Sequence, residues 1–322
     1  MRKFWMSVAA LALLATGAAP AQAQGEAYPI RPVRLVVPFP AGGPADVLAR
    51  VVAQDMSERW GQGVIIENRV GAGSAVGAAS VARSAPDGYT LLLALDTTLV
   101  MIPIAMKTAN YKVEDFAPIS LAATNTSILV VPANGPKTVE ELIAKGRANP
   151  GKLNYGAGII TTRLGAFLLS KLTGIEAVSV PYNGSAEVVR ALLDGSVDYA
   201  VDGIAPHLPH IQAGTLRALA KLDDKPVASL PDLQSLHRFP GLAALGEAAT
   251  WMGFVAPAGT PAQIIAKVRD GVVAATNNDA IRRKMAPLGI TVTNSTPEAF
   301  SAFISSEAKR WEPVIRESGF AN

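Results

Sequence analysis

The residues best suited to ligand chemistry lie where runs of strand character hand over to helical segments. The first such turn, Pro38-Phe39-Pro40-Ala41-Gly42-Gly43-Pro44-Ala45-Asp46, directly follows the apolar run 33–37. Gly42 and Gly43 let the backbone approach a ligand closely with its N–H groups unobstructed, and Pro44 preorganises the first helical turn. That combination suits a carboxylate or other small anion held by main-chain amides at the positive end of a helix. A plain Gly/Pro turn is the competing reading. A second turn, residues 156–162 followed by Arg163, contains Gly158 and offers Thr161, Thr162 and Arg163 as donors to a second anionic group. Thr162 reads equally as a helix cap and Arg163 as a solvated charge. A third turn adds the Thr97 and Thr98 hydroxyls beside Asp96, and Asp202, at the carboxyl end of its strand, is placed to accept a hydrogen bond from a ligand.

Signatures of catalysis are thin. There is no G-x-S-x-G elbow, no H-E-x-x-H zinc site and no EF-hand loop. The glycines of Gly71-Ala72-Gly73-Ser74-Ala75-Val76-Gly77 miss the dinucleotide fingerprint by one residue and read as a tight turn with close helix packing. His207 and His210 read as partly exposed helix residues, and His237 is remote in sequence, so no metal site is expected. Asp198 and Asp202 share a strand face as paired acid/base carboxylates do, although structural hydrogen bonding is the plainer role. Arg282-Arg283-Lys284 is too short for a nucleic-acid stripe. With no cysteine, thiol nucleophiles, disulfide frameworks and cysteine zinc sites are excluded.

Elements must position these turns. Strand runs at 33–37, 64–67, 90–94, 128–131, 152–155, 177–180, 198–201, 216–220, 252–256 and 290–292 alternate with helical periods at 44–60, 74–84, 139–149, 162–173, 186–194, 261–277, 280–286 and 297–316. That alternation predicts an α/β fold with mainly parallel sheets. Thr138 with Glu141 forms a capping box, and Pro313 is expected to kink the last helix or end its regular part. The 322 residues suffice for two lobes. Arg2-Lys3, an apolar stretch and Ala21-Gln22-Ala23 read as a cleaved secretory leader, residues 1–23, too short in its apolar part to span a bilayer. Without it the formal charge falls from +3 to about +1, which removes the case for a polyanion partner. A soluble exported protein of the periplasm is predicted.

The turn blocks themselves resemble a known family. The opening from Tyr28-Pro29 through Arg31-Pro32-Val33-Arg34-Leu35-Val36-Val37 to Asp46, then Glu67-Asn68-Arg69, Ala85-Pro86-Asp87-Gly88-Tyr89-Thr90, Asn149-Pro150-Gly151-Lys152-Leu153-Asn154-Tyr155-Gly156, Val180-Pro181-Tyr182-Asn183-Gly184, Leu208-Pro209-His210 and Ala256-Pro257-Ala258-Gly259-Thr260-Pro261 resemble the Bug family of periplasmic solute receptors of tripartite tricarboxylate transporters. The resemblance covers nearly the whole mature chain in order. It implies a type II, Venus-flytrap α/β architecture: 24–124 with 225–322 as lobe 1, and 125–224 as lobe 2. It implies a ligand in the cleft, with Phe39 as an apolar wall, Ala41, Gly42 and Gly43 supplying amides, and the 156–162 turn, Tyr182 and Asp202 contributing from the other lobe. Two departures stand out: an apolar Ile159-Ile160 with Arg163 where the family has a Gly/Ser turn and a histidine, and Asp96, which would repel a second carboxylate.

The function implied is a monomeric, non-enzymatic receptor without cofactor or nucleic-acid partner. It captures a small organic acid and passes it to the membrane subunits of a tripartite tricarboxylate transporter. The same fold would serve an extracytoplasmic sensor docking on a signalling kinase, and a secreted hydrolase is the remaining alternative.

Overall fold

The computed structural model describes residues 28–247 and 250–320; the expected leader lies outside the described residues. From the amino end run β1 (Val33–Val37), α1 (Pro44–Trp60), β2 (Val64–Asn68), α2 (Ala75–Ala82) and β3 (Thr90–Leu95). A wide helical turn, Thr97–Met101, leads into α3 (Ile102–Ala105) and β4 (Phe116–Asn125). One residue later the chain enters a second sheet with β5 (Ser127–Pro132), then α4 (Val139–Ala148), β6 (Leu153–Ala157), α5 (Ile160–Thr173), β7 (Ala177–Pro181), α6 (Ser185–Leu193), β8 (Tyr199–Gly203), α7 (Ile204–Gln212) and β9 (Leu216–Lys221). It returns to the first sheet for β10 (Thr250–Pro257), α8 (Ala262–Thr276), α9 (Asp279–Met285), β11 (Ile290–Val292) and α10 (Pro297–Glu317).

The strand orders are β11-β4-β10-β3-β1-β2 and β7-β6-β8-β5-β9. Both sheets are mixed, which corrects the expectation of mainly parallel pairing. β1 pairs in parallel with β2 and β3, and β6 with β7 and β8. β10 runs against β3 and β4, and β5 against β8 and β9. The cause is the crossing itself: a strand arriving from the other sheet enters from the opposite end and so pairs antiparallel.

Local chemistry fixes the helices that carry the turns. Helix α1 starts at Gly43 with Pro44 in its first turn, ends on left-handed Gly61, and buries Leu48, Val52 and Met56 along one stripe. Each such side chain contributes about 1.5–3 kcal/mol by leaving water. Thr138 caps α4 by accepting from the Glu141 amide, as its sequence predicts. Pro313 does not end α10, which continues to Glu317.

Three apolar clusters hold the layers. One lies outside the first sheet under α1 and α8, and another outside the second sheet under α6 and α7. The third runs continuously from Leu92, Trp251 and Phe300 to Leu129, Tyr155 and Tyr199, so the two lobes share a core on one side. The two crossings are also clasped: Thr126 Oγ1 donates to Asp223, and Lys225 Nζ donates to Thr124 Oγ1 at 2.7 Å.

Candidate functional site

The first turn is organised by a carboxylate rather than by its glycines alone. Asp46, buried in the first turn of α1, accepts from the Gly42 amide at 2.8 Å, from Arg50 Nε at 2.8 Å and from Asn68 Nδ2 at 2.9 Å. Asn68 also donates to the Phe39 carbonyl at 3.1 Å. Burial alone would raise the Asp46 pKa, but the bonds from Arg50, Gly42 and Asn68 outweigh it and hold the carboxyl below its ordinary value. Gly42 takes a φ of +83°, which a glycine accepts without strain. Its amide is engaged by Asp46, which leaves the amides of exposed Ala41 and half-buried Gly43 as the turn's remaining donors. Gly77 explains the glycine spacing that missed the dinucleotide pattern. A Cβ there would sit 2.6 Å from the Arg69 carbonyl and 2.7 Å from Pro38, so α2 packs directly on the turn.

Across from it, the ends of β3 and α5 meet. Thr97 Oγ1 and Thr161 Oγ1 lie 2.8 Å apart, both buried, and Thr98 donates to Ser74 at 3.0 Å. This hydroxyl pair joins an element of the first sheet to one of the second, so the seam between the lobes is shut at this point. Phe39 and Ile159, one from each side, pack half-buried on the same apolar cluster. Asp96 lies next to the pair with neither oxygen in a hydrogen bond of good geometry. Burial pushes its pKa up to about 7, although Thr161 and the Thr97 amide pull it down.

In the second lobe, Gly158 brings two turns together. A Cβ there would lie 2.7–2.8 Å from the Gly184 and Ser185 backbone. Ser185 donates to Asp202 Oδ1 at 3.0 Å, and the Gly203 amide donates to the same oxygen at 2.8 Å. Tyr182 is half-buried, its amide donating to the Ala157 carbonyl. The His207 ring is completely buried, which corrects the expectation of a partly exposed histidine; α7 turns it inward beneath Asp202. Its Nδ1 faces the Gly203 carbonyl at 2.9 Å and so carries a proton, which directs Nε2 to Asp202 Oδ2 at 3.9 Å. Desolvation raises the Asp202 pKa against the pull of His207. Asp198 is no partner of Asp202: it accepts from Lys145 Nζ and the Asn154 amide.

Direct contacts thus join Thr97 to Thr161 between the two sheets and Thr98 to Ser74, Phe39 shares an apolar cluster with Ile159, and Gly158 and Asp202 meet through Gly184 and Ser185 within the second lobe. Two expected donors are engaged elsewhere. Thr162 caps its own helix through Ile159, and Arg163 donates to Ser179 while its guanidinium stacks 3.7 Å over Phe320. Asp46, Asn68, Ser185 and His207 are additions that turn composition alone does not single out. Two surface hollows, of about 560 and 500 Å³, open elsewhere and are lined by none of these residues. No group of three or more metal-ligating side chains occurs among the described residues.

Two α/β lobes joined by paired crossings, with strand-to-helix turns facing each other over a polar seam, define a solute-binding receptor. The chain belongs to the tripartite tricarboxylate transporter family of receptors, whose model matches residues 48–320. It is 34% identical over 95% of its length to the protein BugT of Bordetella pertussis, 95% of which is covered. Among solved structures, the periplasmic binding protein BugD superposes with a TM-score of 0.82 at 30% identity, covering 91% of this chain and 99% of that one. A Rhodopseudomonas palustris protein with adipate gives a TM-score of 0.84 at 32% identity, covering 91% and 98%. The family is one of receptors and BugD is a periplasmic binding protein, and the protein stands with them as a binder rather than an enzyme.

Proposed function

We propose that the protein captures a small organic acid in the seam and delivers it to the membrane subunits of a tripartite tricarboxylate transporter. One observation carries the reading: the Thr97–Thr161 hydroxyl pair closes the seam where turns from both lobes converge. The amides of Ala41 and Gly43, at the start of α1, take one carboxylate, with Phe39 as the apolar wall. Thr97, Thr98, Gly158, Thr161, Tyr182 and Asp202 form the remaining wall, while Gly42 acts through its bond to Asp46. Residues 24–124 with 225–322 make up one lobe and 125–224 the other, a division supported by crossings at Thr126 and after β9. The leader would be removed near Ala23, placing a monomer in the periplasm. Among the described residues no helix is long and apolar enough to cross a membrane.

Thermal-shift and calorimetric screening of mono-, di- and tricarboxylates tests the proposal. At a hundred times its Kd, a true ligand stabilises the fold by about 2.7 kcal/mol. If no carboxylate stabilises the protein saturably, the reading is wrong.

A further inference from the structure

We propose that the acid captured here bears a protonated amine and that Asp96 is the residue that selects it; the inference rests on the carboxylate-receptor reading above. Asp96 directly follows β3, one residue before the Thr97 hydroxyl that meets Thr161 of the other lobe. It is 1% exposed, and both of its oxygens lack a hydrogen-bond partner of good geometry. Thr161 and the Thr97 amide pull on it from nearby, but neither makes a hydrogen bond of good geometry to either oxygen. The charged groups bearing on it come from α10: Glu307 disfavours its ionisation and Arg310 favours it, while Arg310 itself donates to Glu307 at 2.7 Å. The carboxyl is thus a buried acceptor that the protein's own donors leave unsatisfied, and an unpaired charge in such a place is costly.

A plain diacid brings acceptors and a second negative charge to this point. An ammonium brings three N–H donors and the opposite charge. A second buried carboxylate oxygen is also left without a hydrogen bond. It is Oδ2 of Asp202, which faces His207 Nε2 at 3.9 Å. An amino-bearing carboxylic acid answers both requirements, with its carboxylate on the first turn's amides and its ammonium on Asp96.

The pH response follows with a definite sign. Burial holds the Asp96 pKa near about 7, and an ammonium partner lowers it, so binding releases a proton and affinity rises with pH until about 7, then levels. A diacid would require a protonated Asp96, and its affinity would fall as pH rises through the same window.

The test is calorimetry on the full mature chain between pH 6 and 8, in two buffers of different ionisation enthalpy. The probes are two matched pairs, aspartate with succinate and 2-aminoadipate with adipate. The expected result is a preference of about ten-fold or more for an amino member, with proton release near pH 7. Asp96→Asn, checked for folding by its melting curve, should shrink the preference to about three-fold or less and abolish the proton release. The proposal is overturned if the diacids bind wild type as tightly as their amino counterparts, or if the preference survives Asp96→Asn. Should the variant fail to fold, the wild-type pairs and their proton balance decide. Binding of pentylamine but of no acid would retire the carboxylate reading and keep Asp96 as an amine selector. Binding of the diacids alone would keep that reading and remove Asp96 from it.

Discussion

Asp46→Asn probes the hub of the first turn with almost no change in volume. The carboxylate accepts four bonds: from the Gly42 amide at 2.8 Å, Arg50 at 2.8 and 3.0 Å, and Asn68 at 2.9 Å. An amide keeps one acceptor oxygen and must turn its NH₂ toward at least one of these donors. A charge-assisted bond contributes about 1.5–3 kcal/mol, but Arg50 is half exposed, so solvent screening reduces its share. The expected cost is roughly 2–3 kcal/mol, which for a chain of this size lowers Tm by about 4–8 °C. Because the folded-state pKa lies below the unfolded one, the contribution is complete above about pH 5 and fades as pH falls through the folded value. Melting curves of both proteins from pH 7 to 3 should therefore converge at the acid end. Ligand affinity should also weaken, since Gly42 loses its anchor. A variant that melts within 1 °C of wild type at pH 7, or a gap that does not narrow in acid, would refute the hub.

Gly43→Pro removes a single amide N–H from the proposed cradle. Gly43 has φ −75° and ψ 169°, values that proline accepts, and its Cβ would meet only the Pro40 carbonyl at 3.5 Å. Melting should hardly move while carboxylate affinity falls about ten-fold by calorimetry. Thr161→Val leaves the Thr97 hydroxyl buried and unsatisfied, at a cost of roughly 1–2 kcal/mol to the shut seam. Small-angle scattering should show a more open molecule, and the Thr97→Val/Thr161→Val double variant should recover much of the loss. Gly77→Ala forces a methyl against the Arg69 carbonyl and Pro38, and should cost about 1–3 kcal/mol and loosen the first turn, read as faster amide exchange at 39–43.

The alternation of strands and helices was legible because most β runs are apolar and bounded by glycine, proline or asparagine. β4 was not: Pro118, Ser120, three alanines and Thr124 dilute its pattern, and its place comes from pairing with β10 and β11. The helical stretch 97–105 was likewise hidden, since Asp96-Thr97-Thr98 read as a turn. At the site, chain position revealed the turns but not the long-range partners. Arg163 was expected to meet an anion because nothing local shows that Phe320, far along the chain, packs on its guanidinium. His207 looked exposed beside Pro209, yet α7 places it under Asp202, five residues earlier. Asp46 did stand in the first-turn position where acids favour a helix start, a signal that could have marked it.

The position of β10 dictates an order of assembly. It lies between β3 and β4, so the first sheet stays split, with two bare edges, until residues 250–257 have arrived. The second sheet is built wholly from the unbroken stretch 127–221 and needs nothing from either terminus to complete its ladders. A chain that emerges amino end first can thus finish its middle before its beginning. During that interval the unpaired edges of β3 and β4 are where aggregation, or the grip of a chaperone, would begin.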